Sequence, residues 1–121
     1  MKEILYVGAG SAIGGISRYL AGRGITAIFH HPFPLGTFLI NVLGSLAIGY
    51  FIGISSRGII SQSSHLFLVT GLCGGFTTFS AFSMENIHML RNGQYGLAIT
   101  YIVGSVVLGL LACILGYHFG K

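Results

Sequence analysis

The chain has no tryptophan and no aspartate, and its only carboxylates besides the C-terminus are Glu3 and Glu85. Only 7% of its residues are charged, against roughly 25% in an average soluble domain. A soluble fold of this composition would lack the polar surface to cover itself, and with 53% hydrophobic residues the chain reads as an integral membrane protein. Six basic residues are scattered singly and form no patch, so nucleic acid is not an expected partner. The two cysteines, Cys73 and Cys113, both fall in apolar segments. They read as small apolar residues, since a disulfide or a zinc site would need another setting or more ligands. No nucleophile–base pair or metal cluster can be assembled, which argues against an enzyme.

What is present is apolar sequence in four lengths, each near what a bilayer crossing requires. The predicted spans are about 4–20, 35–54, 66–88 and 97–119, so that 1–121 forms a single four-helix transmembrane domain. The first run follows one lysine, as a signal peptide would. It lacks a clear cleavage site before Arg18, and it reads as a retained span.

The organising stretch is Gly71-Leu72-Cys73-Gly74-Gly75-Phe76-Thr77-Thr78-Phe79-Ser80-Ala81-Phe82. Three glycines followed at once by two threonines predict that the third span is broken. Unwound backbone at membrane depth is tolerated only where it is buried in protein or lines a cavity. Such a break offers carbonyls to a cation and N–H groups to an anion. Glycines in membrane helices also serve close packing, but packing alone does not account for the threonines and the Phe79–Phe82 pair.

Polar residues elsewhere fall into rows. In span one, small residues recur at helical spacing: Gly8 and Ala12, Gly10 and Gly14, Ser11 and Gly15. Such rows let helix backbones approach closely. Arg18 ends that span as a snorkelling, topology-setting charge, or as a charge tucked against the protein that draws anions to a vestibule or holds subunits together. In span two, Thr37, Asn41 and Ser45 share one face. A buried Asn in lipid needs a partner, either as interhelical glue or as a ligand for a passing ion, and the flanking hydroxyls favour the second. In span three, Phe79 and Phe82 share a face; ring edges are positive and can host an anion. Glu85 reads as solvated at a mouth or interface. In span four, Tyr101, Ser105, Gly109 and Cys113 form a further row. His30 and His31, beside Pro32 and Pro34, mark a helix-breaking loop and only weakly suggest a metal site.

Lys and Arg in loops normally set orientation. With four spans, Lys2, Arg57 and Lys121 lie on one side and Arg18, Arg23 and Arg91 on the other, an even balance. A chain without orientational bias can insert both ways, and two opposite copies could pair. Four short helices hardly enclose a pore alone, so oligomerisation is expected.

These residues resemble a known family. The run Gly74-Gly75-Phe76-Thr77-Thr78-Phe79-Ser80-Ala81-Phe82 is similar to the signature of the CrcB/Fluc fluoride channels. So are Gly36-Thr37-Phe38-Leu39-Ile40-Asn41-Val42-Leu43-Gly44-Ser45 and Gly14-Gly15-Ile16-Ser17-Arg18-Tyr19. The resemblance spans essentially the whole chain. It implies a passive channel exporting fluoride across the inner membrane of a prokaryote, built as an antiparallel, dual-topology homodimer in lipid. It implies that Asn41, Phe79, Phe82, Ser105, Thr37 and Tyr101 line the fluoride pore and that Arg18 stands at a vestibule. It implies a structural sodium ion at the dimer interface, held by carbonyls of Gly74 and Thr77. Gly109 and Cys113 stand where many relatives place hydroxyls, which leaves Ser105 to carry more of that track. A rival reading is a small four-span proton-coupled exporter, which requires an embedded carboxylate that span one lacks. A further alternative is an assembly subunit without transport of its own.

Overall fold

A computed structural model describes all 121 residues, Met1–Lys121, and it is helical throughout, with no strand. Helix α1 runs Lys2–Ile28, α2 Leu35–Ser56 and α3 Gln62–His65. A π-helical stretch, Leu66–Cys73, then leads into α4, Gly74–Phe76. Helix α5 spans Phe79–Arg91 and α6 spans Tyr95–Gly120. Three helical segments are long and apolar enough to cross a membrane: Leu35–Ser56, Gln62–Arg91 and Tyr95–Gly120. Helix α1 has the length, at 27 residues, but Lys2, Glu3, Arg18, Arg23 and its many glycines dilute its apolar character.

The helices stop where the sequence removes a donor or demands a special backbone. Pro32 and Pro34 separate α1 from α2, because proline cannot donate to a helix ladder. Gly58 and Gly93 adopt positive φ of 71° and 75° and end α2 and α5, a conformation that costs glycine little. Ser61 caps α3 by accepting the Ser64 N–H at 3.1 Å.

Two glycine seams hold the bundle. On the first, Gly10 and Gly14 of α1 lie against Gly71, Leu72 and Phe76, and Gly75 lies against the backbone of Ser11. A Cβ at Gly10 would fall 2.9 Å from the Gly71 Cα, so these backbones touch directly. Gly8 and Gly15 face open space, which selects the Gly10–Gly14 row over its neighbours. On the second seam, Gly49 and Gly53 of α2 meet Gly116 and Gly120 of α6, in the most extensive helix contact of the chain. Small residues allow such approach in lipid, where dispersion rather than water release drives packing.

The interior is small: 14 of 121 residues are buried, and much of the large apolar surface of α1 and α6 faces outward. A water-soluble monomer rarely shows so much contiguous apolar area. The one large side chain with no exposure is Tyr101, packed with Met89, Ala98, Phe33, Phe38, Phe82 and Leu97.

Candidate functional site: a polar seam between two cavities

The centre of the site is the two-residue gap between α4 and α5. Helical geometry ends at Phe76. Thr77 (φ −83°, ψ 155°) and Thr78 (φ −147°, ψ 119°) are extended, and the helix resumes at Phe79. Local hydrogen bonds account for the restart. The Thr77 hydroxyl donates back to the Cys73 carbonyl at 3.0 Å, and the Thr78 hydroxyl caps α5 by accepting the Ala81 N–H at 3.2 Å. Short hydroxyl side chains compete with the ladder in this way and favour caps over helix interiors. Gly44 of α2 provides the room, since a Cβ there would run into Thr77 and Phe76.

Asn41 closes the gap. Its Nδ2 donates to the Thr78 carbonyl at 3.0 Å, and its Oδ1 accepts the Thr78 N–H at 2.9 Å. One side-chain amide therefore pairs with both backbone groups of one extended residue. The amide keeps one N–H and one lone pair beyond these two bonds. The two readings of Asn41, interhelical glue and ion ligand, are thus compatible in one side chain.

Two cavities meet at Thr78. The larger, about 720 Å³, is lined by Arg18, Arg23, His30, His31, Thr37 and Glu85 among others. The smaller, about 350 Å³, is lined by Asn41, Ser45, Thr77, Thr78, Phe79, Phe82 and Ser105 with two aliphatic neighbours. In the smaller one the Ser105 hydroxyl is buried and has no hydrogen-bond partner. A buried hydroxyl without a partner carries a desolvation cost, so the site is short of one acceptor. The rings of Phe79 and Phe82 lie 5.7 Å apart at 42°, and Phe82 packs on Tyr101 at 4.9 Å. Phe79 is 77% exposed on the single chain.

Glu85 lines the larger cavity, as a mouth residue would, but it is bonded rather than freely solvated. It is half-buried between three helices, one oxygen accepting the Thr37 hydroxyl at 2.8 Å and the other accepting the Tyr101 hydroxyl at 2.8 Å. Thr37 and Tyr101 are thus brought together through Glu85; Thr37 lines the larger cavity, Tyr101 is buried and lines neither, and Asn41, Phe79, Phe82 and Ser105 line the smaller. Nothing in the sequence pairs Glu85 with α2 and α6.

Arg18 also finds a specific place. Its Nε donates to the Gly75 carbonyl at 3.4 Å, tying α1 to the segment just before the gap, and its side chain lines the larger cavity. Gly74 is exposed, and Thr78 sends its N–H to Asn41 rather than back along the helix. No group of three or more His, Cys or carboxylate side chains stands close enough to hold a metal ion. Any cation here would have to rest on carbonyls.

Residues 5–117 match the family described as CrcB-like protein, Camphor Resistance (CrcB). This chain belongs to the CrcB family. Among its relatives are three proteins named fluoride-specific ion channel FluC. That of Bacteroides fragilis is 42% identical over 126 residues, covering 100% of this chain and 98% of the relative. That of Nitrobacter winogradskyi is 46% identical over 114 residues, covering 93% and 90%. That of Chloroflexus aurantiacus is 47% identical over 122 residues, covering 100% and 97%. The CrcB match therefore takes in every element that forms the two cavities.

Proposed function

We propose that this chain is the subunit of a passive, fluoride-selective channel in the inner membrane of a prokaryote, and that it lowers cellular fluoride by letting the anion leave down its gradient. The observation that carries the reading is the smaller cavity. It combines an amide N–H of Asn41, the unpartnered hydroxyl of Ser105 and the rings of Phe79 and Phe82, and no formal charge lines it. Fluoride is small, strongly hydrated and a strong acceptor. Hydroxyl and amide donors with ring edges replace its water, and leaving out formal charge keeps binding weak enough for exit. Thr37 and Tyr101 extend the polar line toward the Arg18 cavity, which serves as the vestibule.

The channel is an antiparallel homodimer of four-span chains in lipid, with the third span broken at Thr77–Thr78. The even charge balance supports dual insertion. The exposure of Gly74 and Phe79 at the break supports a second copy on that face. The residues there also fit a structural sodium ion. The N–H that an unbroken helix would send to the Gly74 carbonyl goes to Asn41, and the carbonyls of Gly74 and Thr77 would hold the ion. Bound there, it supplies a fixed positive charge near the anion path.

Glu85 gives some support to a proton-coupled exporter, because it is a carboxylate inside the bundle. One experiment separates the readings. Purified protein is reconstituted in liposomes loaded with potassium fluoride or potassium chloride, and efflux is started with a potassium ionophore. Fast fluoride loss, negligible chloride loss and no dependence on a proton gradient are expected. Retention of fluoride by well-folded dimers overturns the channel reading.

A further inference from the structure

The larger cavity contains two histidines that the fluoride path does not use. His30 and His31 form the turn between α1 and α2, outside the apolar spans, and both are exposed and line the cavity that also holds Arg18, Arg23 and Glu85. We propose that His30 and His31 are anion-recruiting residues of this vestibule, whose protonation in mild acid raises the rate at which fluoride enters. The proposal rests on the channel reading above.

The charges that face the histidines decide the sign. From α1 come the guanidinium groups of Arg18 and Arg23 and the phenol of Tyr19; from α5 comes Glu85. On the far side of Pro32 and Pro34, a neighbouring cavity adds His88. Glu85 is already engaged by the hydroxyls of Thr37 and Tyr101. The vestibule is thus modestly positive when the histidines are neutral, and protonating both adds two charges of the same sign as Arg18 and Arg23. Histidine is the side chain whose charge changes between about pH 5 and 8. Two unit charges roughly 10 Å from an entering anion, in water-like surroundings, raise its local concentration about fourfold at low salt. At about 0.15 M ionic strength the Debye length is near 8 Å, and most of that gain is screened.

His31 also has a mechanical link. Its Nδ1 accepts the Phe33 N–H at 3.0 Å. The Phe33 ring stands edge-on to Tyr101, with centroids 5.3 Å apart. A proton on Nδ1 competes with that N–H, so charging His31 loosens the turn that seats Phe33 on Tyr101.

The test uses the full chain in planar bilayers, at fluoride well below saturation, with gluconate as the impermeant anion. The expected result is a single-channel fluoride conductance that rises about fourfold between about pH 7.5 and about pH 5.5 at low ionic strength. The ratio should fall below about twofold when gluconate is raised to about 0.15 M. In H30Q/H31Q the acid ratio should fall to about one. An unchanged ratio in that double variant assigns the effect to Glu85 or His88 and overturns the proposal, as does a flat wild-type response in a conducting channel. A second arm does not depend on conduction. The ring titrations of His30 and His31 are followed by NMR in nanodiscs, with potassium fluoride or potassium gluconate at equal ionic strength. Linkage requires that an anion recruited by the charged rings move their titration to higher pH. Titrations indifferent to fluoride overturn the proposal, whereas absent fluoride current with shifted titrations counts against the channel reading alone.

Discussion

Asn41 and Thr78 pair like two strands of a ladder, with one side-chain amide meeting both the N–H and the C=O of a single backbone residue at 2.9 and 3.0 Å. The pairing joins α2 to the gap between α4 and α5 and sets the boundary between the two cavities. Asn41→Asp keeps the shape and the acceptor but loses the donor to the Thr78 carbonyl. It also places a negative charge beside the proposed anion path. We expect stability to fall by about 1–3 kcal/mol, because a half-buried carbonyl is left unpaired, and fluoride efflux to fall at least tenfold. Thermal unfolding and liposome efflux on the same preparation separate the two effects. Normal efflux from a destabilised variant would leave Asn41 as interhelical glue alone.

Phe82 separates shape from electrostatics. Its ring lies between Phe79 and Tyr101, with centroids 5.7 and 4.9 Å away. Phe82→Ile retains apolar bulk and removes the ring edge. Aromatic geometry is worth about 0.5–1.5 kcal/mol, and the upper end of that range corresponds to about a tenfold loss of fluoride flux. The proposed dimer should persist on gel filtration. Unchanged flux would show that the ring serves only to pack Tyr101.

How far the chain could be read in advance depended on the range of the interaction. Low charge and long apolar runs made the helical membrane class legible, since both follow from composition. The break was suggested by residues adjacent in sequence, because glycine and threonine act on their own backbone and that of the next turn. The row Gly10–Gly14 was visible as a spacing, but its preference over Gly8–Ala12 was not, as the choice depends on Gly71 and Gly75 some sixty residues later. The bonds of Glu85 are illegible in the sequence for the same reason. Its surroundings are made by Thr37 and Tyr101, which lie on two other helices. A carboxylate near a helix end has no local signal that distinguishes solvent from two converging hydroxyls. The two-point bond of Asn41 was likewise hidden, although the need for some partner was clear.

The glycine seams give a prediction about stability with an internal control. A Cβ at Gly116 would strike the Leu46 carbonyl and come 2.9 Å from the Tyr50 nitrogen, both backbone atoms that cannot turn aside. Gly116→Ala should therefore separate α2 from α6 and cost about 1–3 kcal/mol. At Gly15 nothing lies within 4 Å, so Gly15→Ala should be neutral within the chain, or stabilising by up to about 1 kcal/mol through helix propensity. Thermal denaturation in detergent reads both. Equal losses would place Gly15 at a contact with a second copy, and a neutral Gly116→Ala would contradict the α2–α6 packing.

Glu85 is the residue on which the channel and exporter readings diverge. Both of its oxygens accept hydroxyl protons, from Thr37 and from Tyr101, at 2.8 Å each. The ionised form can satisfy both donors at once; the protonated form gives up part of that capacity to its own O–H. Glu85→Gln keeps one carbonyl acceptor and turns an NH₂ donor toward the other hydroxyl, so that bond persists only with its direction reversed and the hydroxyl proton loses its acceptor. In a channel this should slow fluoride by about ten- to a hundredfold if one hydrogen bond to the carboxylate, about 1.5–3 kcal/mol, is involved, and leave it independent of a proton gradient. Tyr101→Phe should produce a similar loss by removing the other partner. If the two residues act as a unit, the double variant should lose no more than the worse single one. An exporter would behave differently: Glu85→Gln would abolish gradient-driven movement altogether, while Tyr101→Phe would only weaken it. Measuring efflux for the three variants with and without an imposed pH gradient therefore decides whether this carboxylate orients hydroxyls along a pore or carries protons across it.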